Sequence, residues 1–319
     1  MSDNPPAPPA ADDDLLAQAD ALHDDEPQRG LEMLRRVRPD ALSPGRLPRL
    51  AFLLNHVFGE KFDLWGEALV GQRAIVERLG VDVTPVVLRQ AAIAAQVAGD
   101  TPQASAWTQR LAACADAPLA KARALVTLGA VAFSVGRQSA ENAGRLTLQA
   151  LAPLAALHAT PGNGLDGAFG AVTNNLASEL LERPFDDLGQ PDLRTALELT
   201  AEHANRFWKR AGTWLNHERA HYLCAMSANA LGHAALATTQ ARAGLALLDV
   251  HDDARQEDVD RAFLELELAL GLRLLAQPGQ ADALARADGL AARFDDASLE
   301  GWFAGRRARN EALAAHYGR

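Results

Sequence analysis

The sequence predicts an all-α protein of about six to seven antiparallel helix pairs, because two features favour helices over sheets. Among the 319 residues there are only 2 Ile, 15 Val and 12 Thr, and aromatic residues make up 5%. Strands are enriched in β-branched and aromatic side chains, so a large sheet is nearly excluded. Apolar residues instead recur at intervals of three and four, which is the spacing of one helix face.

Helix starts and ends are marked along the chain. Ser43-Pro44, Thr84-Pro85 and Thr101-Pro102 each place a hydroxyl before a proline, where it can accept a hydrogen bond from an unpaired N–H of the first helical turn. Glycines such as Gly99 and Gly232 stand where the apolar patterns stop. These marks divide the chain into helix pairs, which in order span 14–37 (broken at 24–27), 45–80, 85–115, 118–158, 166–211 (with a long break at 182–191), 213–250 and 256–293, followed by a single helix at 297–317.

Small residues recur with one spacing in three of these pairs. A small residue in the first helix is followed 12 residues later by an Ala that opens the second helix. The three cases are Ala91-Ala92-x₂-Ala95 with Ala104-x₃-Thr108, Cys224-Ala225-x₂-Ala228 with Ala237-x₃-Ala241, and Leu270-Gly271-x₂-Leu274 with Ala283-x₃-Ala287.

This pattern resembles the tetratricopeptide-repeat family, in which helices pack closely at small residues. The resemblance covers most of residues 45–293. It implies a right-handed α-solenoid that forms one domain over residues 14–319, with the helix at 297–317 capping its exposed end. A non-repeating helical bundle is the structural alternative.

Acidic residues are concentrated at the start of the chain. Of the formal net charge of −10, residues 1–26 contribute eight acidic groups and no Lys or Arg, so the rest of the chain is nearly neutral. Without a basic excess, we expect no binding of nucleic acid through phosphate neutralisation. The acidic, Pro/Ala-rich residues 1–13 predict a disordered tail that lacks the basic start and apolar stretch of a secretory signal.

The remaining composition favours a cytoplasmic protein that does not enter membranes. The longest apolar stretch, residues 124–136, is too short to span a bilayer. Cys114 and Cys224 lie far apart and lack CxxC spacing, which predicts buried, reduced thiols rather than a disulfide or a metal site.

The segment His217-Glu218-Arg219-Ala220-His221 has the form H-E-x-x-H. On a helix, two His four residues apart project from one face and can bind zinc, while the Glu activates a water. The extended motif with a third His is not met, because Cys224 stands at its Gly position and Ser227 at its last His position. We therefore interpret His221 as packed between helices, with Glu218 near a helix start, and keep a zinc-dependent hydrolase as the alternative.

Other catalytic motifs are missing from the sequence. It contains no G-x-S-x-G nucleophile elbow, no phosphate-binding glycine loop and no second Glu-x-x-His for a di-iron centre. No catalytic residue, metal or other cofactor is therefore predicted.

The positive prediction is a binding groove. In stacked helix pairs the first helices line the concave side, and the resemblance implies which residues face it. The predicted groove residues are Arg89, Gln96, Arg123, Phe133, Asn174, Asn175, Arg219, Tyr222, Met226 and Asn229. Asn can bond a peptide backbone at both donor and acceptor, Arg can grip a carboxylate with two hydrogen bonds, and Tyr and Met add adaptable apolar contact.

The predicted function is therefore that of a non-catalytic adaptor or sensor. Its partner is expected to be a protein or peptide segment that carries an acidic side chain or a free C-terminal carboxylate. A regulatory ligand-sensing domain whose output module lies on another chain is a further alternative, beside the zinc-dependent hydrolase.

Overall fold

The protein is helical throughout the part of the chain that the computed structural model describes. These residues are 11–158, 162–252 and 254–318, and no strand occurs among them. The all-α prediction is confirmed. Most helices pack against a helix that precedes or follows them in the sequence, as the paired pattern requires.

The chain forms two compact units. Unit 1 comprises Met1–Ser134 and Asn163–Leu165, and unit 2 comprises Val135–Gly162 and Asp166–Arg319. The boundary divides the predicted pair 118–158 between its two helices. The solenoid and the single domain over 14–319 stay predictions.

Unit 1 contains seven α-helices and one π-helix among its described residues. They are α1 (Ala11–Leu22), α2 (Pro27–Leu34), α3 (Leu47–Leu53), the π-helix (Leu54–Lys61), α4 (Trp65–Leu79), α5 (Pro85–Val97), α6 (Thr101–Cys114) and α7 (Leu119–Ala132). The helix limits agree with the predicted pairs 14–37, 45–80 and 85–115.

The predicted helix caps are only partly realised. Thr84 caps α5 by accepting a hydrogen bond from the backbone N–H of Val87 at 3.5 Å. At α6 the capping residue is Asp100 instead of Thr101, and its carboxylate accepts from the N–H of Gln103 at 3.2 Å. Ser43 precedes a short 3₁₀ turn and makes no capping bond.

The predicted disordered tail over residues 1–13 extends too far, because its last three residues are helical. Residues 1–10 lie outside the described part of the chain, but α1 already begins at Ala11. Asp12 is held there because its carboxylate accepts from the backbone N–H of Arg38 at 2.8 Å and from its guanidinium at 3.1 Å. Asp13 accepts from the N–H of Ser43 at 3.2 Å. Acidic side chains also favour the positive end of a helix, so part of the acidic stretch belongs to the fold.

The π-helix interrupts the predicted pair 45–80 and was not predicted. It carries Asn55, which is fully buried and donates to the side-chain oxygen of Gln90 at 2.8 Å. The Asn55 oxygen in turn accepts from the amide of Gln72 at 2.9 Å. Apolar periodicity cannot reveal an i→i+5 segment of one or two turns, because such a segment changes the spacing only locally.

Unit 2 contains the remaining α-helices among its described residues. They are α8 (Ala140–Leu151), α9 (Leu154–His158), α10 (Asp166–Leu181), α11 (Pro191–Ala211), α12 (Trp214–Ala230), α13 (Ala234–His251), α14 (Asp258–Leu274), α15 (Gln280–Ala291) and α16 (Ala297–Tyr317). The limits of α10 to α16 follow the predicted pairs and the predicted last helix.

Small residues mark close helix contacts in unit 2. A Cβ atom added at Gly271 on α14 would lie 2.5 Å from the hydroxyl of Thr238 and 3.2 Å from the carbonyl oxygen of Ala234, both on α13. The close approach that Gly271 permits is therefore to the preceding pair, and not to its own partner α15.

The last helix does more than cover an exposed end. Phe303 of α16 packs edge-to-face against Phe263 at the start of α14, with ring centroids 5.4 Å apart. Farther along, the hydroxyl of Tyr317 donates to the carbonyl of Ala230 on α12 at 2.9 Å. The guanidinium of Arg309 also donates to the carbonyl of Leu181 at the end of α10. Within unit 2, α16 therefore joins the ends of three helices.

A close contact between a glycine and the backbone of another helix in unit 2 gives a stability prediction. A Cβ atom at Gly144 of α8 would lie 2.5 Å from the backbone nitrogen of Leu193 on α11. Because backbone cannot rotate aside, we expect Gly144→Ala to lower the free energy of unfolding by about 1–3 kcal/mol. In the matched variant Gly305→Ala, the new Cβ meets nothing within 4 Å, so we expect a gain of about 0.5–1 kcal/mol. Urea denaturation of both variants checks this prediction. If the two variants changed the free energy of unfolding in the same direction, the close contact between Gly144 and Leu193 would be contradicted.

The helices were also compared with the dimensions of a lipid bilayer. Within the described ranges, none of them combines the length and the apolar character that crossing a membrane requires.

Candidate functional site

A pocket in unit 1 brings together two of the predicted groove residues, Gln96 and Arg123. We call it the Arg123 pocket; it has a volume of about 290 Å³ and is formed by the end of α5, the first half of α6 and the first half of α7. Its lining residues are Gln96, Thr101, Ala104, Ser105, Thr108, Arg123, Val126 and Thr127. Both α6 and α7 pack against α5, which places these three segments side by side.

The polar groups of the Arg123 pocket suit an anion. Arg123 is exposed, and its guanidinium forms no hydrogen bond or ion pair with any residue that the structure describes. Ser105 and Thr127 add exposed hydroxyls. Thr101 in the first turn of α6 adds a third exposed hydroxyl, whereas the backbone N–H of Gln103 in that turn is already bonded to the Asp100 carboxylate. A carboxylate entering this pocket would meet a cation and several donors.

Two other predicted groove residues of unit 1 lie elsewhere. Phe133 is half-buried, with its ring centroid 6.1 Å from that of Trp65 and 6.4 Å from that of Phe52, so it packs in an aromatic cluster. Arg89 is half-buried as well, and its Nε has no hydrogen-bond partner among the described residues. Burial lowers the pKa of Arg89.

The predicted groove amides of α10 occupy ordinary helix positions in unit 2. Asn175 is exposed and Asn174 is half-buried. The hydroxyl of Ser178 donates to the backbone carbonyl of Asn174 at 3.1 Å, which is a bond within the helix.

Three of the four predicted groove residues on α12 are engaged within unit 2. Arg219 is exposed, but its guanidinium donates to Asp260 at 2.8 Å and to Glu257 at 3.5 Å. Tyr222 packs against Phe263 with ring centroids 6.0 Å apart, and its hydroxyl is buried. The fourth, Met226, is half-buried. Because the Arg219 charge is already balanced, its predicted role in gripping a ligand carboxylate finds no support.

Asn229 requires a correction, because it lies in the interior and not on a groove wall. It is fully buried, and its side-chain NH₂ donates to the backbone carbonyl of Glu267 at 3.0 Å and to its carboxylate at 2.7 Å. The same carboxylate accepts from Arg306 at 2.7 Å and from Asn310 at 3.2 Å. We call Asn229, Glu267, Arg306 and Asn310 the Glu267 cluster. It ties α12, α14 and α16 together.

Glu218 forms a second buried polar site in unit 2. Its side chain is fully buried, and neither carboxylate oxygen receives a hydrogen bond from the part of the protein that is described. Burial raises the pKa of Glu218 to about 9, and the neighbouring carboxylate of Asp260 acts in the same direction. A proton on Glu218 can be donated to Asp260, which also accepts from Arg219.

The two His of the H-E-x-x-H segment are used in helix packing. His217 is hydrogen-bonded through Nε2 to the backbone carbonyl of Trp208 at 2.8 Å. His221 is hydrogen-bonded through Nδ1 to the side-chain oxygen of Gln240 at 2.7 Å, and burial lowers the pKa of His221. Among the described residues, no cluster with metal-ligand spacing includes either imidazole. This arrangement agrees with the interpretation of His221 as a packed residue.

A pocket of unit 2 was missed by the sequence analysis. It has a volume of about 300 Å³ and lies between α11, α12 and α13. Asn205 Oδ1 and Ser227 Oγ are buried in its wall and find no hydrogen-bond partner among the residues described. Burial raises the pKa of the adjacent Cys224 to about 11, so this thiol stays protonated and is a poor nucleophile. Polar side chains on otherwise apolar helix faces were the only sequence signal for this pocket.

The sequence was also compared with protein-family models and with curated proteins. No protein-family model matches this sequence, and no curated protein matches it either. The function must therefore be argued from the residues themselves.

Proposed function

We propose that this protein is a non-catalytic adaptor or sensor that binds a protein or peptide segment through a carboxylate held in the Arg123 pocket. The observation that carries the proposal is the exposed guanidinium of Arg123, which has no partner among the described residues and lies beside Gln96 in one pocket. The carboxylate belongs to an acidic side chain or to a free carboxyl end.

The donor set of the pocket matches this ligand. A guanidinium presents parallel N–H groups that fit both oxygens of a carboxylate. The Gln96 carboxamide offers a donor and an acceptor, as a peptide unit does, so it can bond the backbone next to the carboxylate. The hydroxyls of Ser105 and Thr127 can donate to the remaining lone pairs.

The size of the pocket favours a side chain or a chain end over a complete small molecule. Its volume of about 290 Å³ lies at the lower limit of ligand pockets, which span about 300–1,000 Å³. An acidic residue fits inside it together with part of a neighbouring residue, while the rest of the peptide lies on the surface outside.

Unit 1 supports this function better than α12 of unit 2 does. An incoming carboxylate at Arg219 would have to displace Asp260 and Glu257, which already hold that guanidinium. At Arg123 no such exchange is needed. The zinc-dependent hydrolase is less well supported, because His217 and His221 each bond a neighbouring helix residue.

Binding to an array of short peptides tests the proposal. We expect acidic peptides, or peptides with a free carboxyl end, to be preferred over their amidated and neutral counterparts. Arg123→Glu removes the charge-assisted hydrogen bonds, so we expect the affinity measured by fluorescence polarisation to fall about 10- to 100-fold.

A matched charge reversal provides the control. Arg242 of α13 is also exposed and unpaired within the described chain, but it does not line the Arg123 pocket. Arg242→Glu should leave the affinity unchanged while altering the net charge equally. Equal losses in both variants, or full binding by Arg123→Glu, would refute the proposal.

A further inference from the structure

A cluster of metal-ligand type lies at the other end of unit 1. His23 and Asp24 follow the end of α1, and His56 lies on the π-helix. The ligand atoms of these three side chains all lie within 4.8 Å of one another. The π-helix matters here because such segments are rare and occur frequently at functional sites.

Both imidazoles are held in orientation by a hydrogen bond at Nδ1. The Nδ1–H of His23 donates to the backbone carbonyl of Asp20, and the Nδ1–H of His56 donates to the carboxylate of Glu60 at 2.5 Å. The acceptor at Nδ1 places a proton on that nitrogen, so Nε2 is the nitrogen of each imidazole that is left to bind a metal ion. Metal-bound His is oriented in this way in proteins, by a carbonyl or carboxylate on the nitrogen that does not bind the metal.

Both Nε2 atoms then point at one carboxylate. The His23 Nε2 lies 3.2 Å from one oxygen of Asp24, and the His56 Nε2 lies 3.3 Å from the other. A metal ion between the imidazoles and the carboxylate would bind all three side chains at once, in place of the direct hydrogen bond between His56 Nε2 and Asp24. Bonds of about 2.0–2.1 Å to a tetrahedral Zn²⁺ separate its ligand atoms by about 3.4 Å, which is close to both of these distances.

We propose that His23, Asp24 and His56 form a Zn²⁺ site. Two imidazoles and one carboxylate are a ligand set that zinc accepts, and three protein ligands leave the fourth position for water or for a partner's side chain. The site is reachable, because 65% of the Asp24 side chain is exposed whereas the two imidazoles are mostly buried.

Lys61 competes with a metal ion for the carboxylate of Asp24. Its ammonium lies 2.8 Å from an oxygen of Asp24 and must move aside when the carboxylate binds a metal ion. Lys61→Met removes this competition without removing a ligand. Since such a partly exposed ion pair is weak, we expect zinc to bind about two- to fivefold more tightly to Lys61→Met.

Calorimetric titration of the metal-stripped full-length chain with ZnCl₂ is the test. We expect one Zn²⁺ to bind per chain, whereas Mg²⁺, which prefers all-oxygen ligands, does not compete. Asp24→Asn and His56→Ala should each weaken zinc binding by more than about tenfold, because changing a residue that merely holds a metal ligand in place already weakens metal binding about 10- to 100-fold. Asp24→Asn alters an exposed side chain, so circular dichroism should confirm that the variant folds.

The double variant His217→Ala, His221→Ala is the control. It removes the H-E-x-x-H imidazoles and should leave the stoichiometry and affinity for zinc unchanged. The proposal is overturned if the wild type binds no stoichiometric zinc, if a folded Asp24→Asn variant binds it as tightly as the wild type, or if the control variant loses it.

Discussion

Replacing Glu218 with Gln should stabilise the protein by roughly 3 kcal/mol at pH 7, since each unit of pKa shift corresponds to about 1.4 kcal/mol. Burial and the adjacent Asp260 raise the pKa of Glu218 from 4.5 to about 9. At neutral pH the folded protein must therefore keep a proton that the unfolded chain releases. Gln has nearly the same shape, carries no charge and can donate its amide N–H to Asp260.

The pH dependence of this effect has a definite sign. A carboxyl group whose pKa is raised by folding is neutral in both states below about pH 4.5, and there it does not affect stability. As the pH rises from 4.5 towards 9, the unfolded chain loses the proton first and the wild type loses stability. The difference between Glu218→Gln and the wild type should therefore be near zero at the acidic end of this range and should grow towards neutral pH.

Urea denaturation across this pH range measures the effect. Glu202→Gln is the matched control, because Glu202 is an exposed carboxylate of the same unit that pairs only with Arg206 one helical turn away. It should change the free energy of unfolding by less than about 0.5 kcal/mol. If Glu218→Gln lowers stability at every pH, the buried carboxyl group serves as an essential hydrogen-bond partner, and the prediction is wrong.

The burial of Glu218 marks the limit of what the sequence could predict. The position of Glu218 near the start of α12 suggested a favourable interaction with the helix end, which is a property of local sequence. Its burial depends on α14, which brings Asp260 against it. Helix limits follow from local spacing, and the sequence predicted most of them well. Contacts between helices that are distant in the sequence do not follow from local spacing, and the sequence did not predict them.

Arg123 and Arg219 also show that the sequence does not reveal which charged side chains are paired in the fold. Arg123 and Arg219 both belong to the predicted groove residues, and both were expected to grip a carboxylate. The structure leaves Arg123 unpaired within the described chain and places Asp260 and Glu257 on Arg219. Those carboxylates lie on or next to α14, so nothing near Arg219 in the sequence reveals that its charge is neutralised. The proposed zinc site was missed for a related reason, since the π-helix that positions His56 has no periodic signal.

Glu267→Ala should destabilise the protein by about 3–5 kcal/mol, because it leaves Arg306 as an unbalanced charge in the interior. Glu267 is fully buried and Arg306 is 7% exposed. Burial is the largest single influence and lowers the pKa of Arg306, but Glu267, Tyr222 and Glu182 together outweigh it, so the pKa is raised. The variant also removes the acceptor for the amides of Asn229 and Asn310.

A double variant separates the charge from the packing in this prediction. Glu267→Leu combined with Arg306→Met removes both charges and retains most of the buried volume, so we expect it to recover most of the stability that Glu267→Ala loses. Glu311→Ala is the surface control, because Glu311 pairs with Arg273 where both side chains are exposed, and it should change stability by no more than about 1 kcal/mol. Urea denaturation at pH 7 compares the three. If the double variant is as unstable as Glu267→Ala, the hydrogen bonds to Asn229 and Asn310, and not the unpaired charge, hold α12, α14 and α16 together.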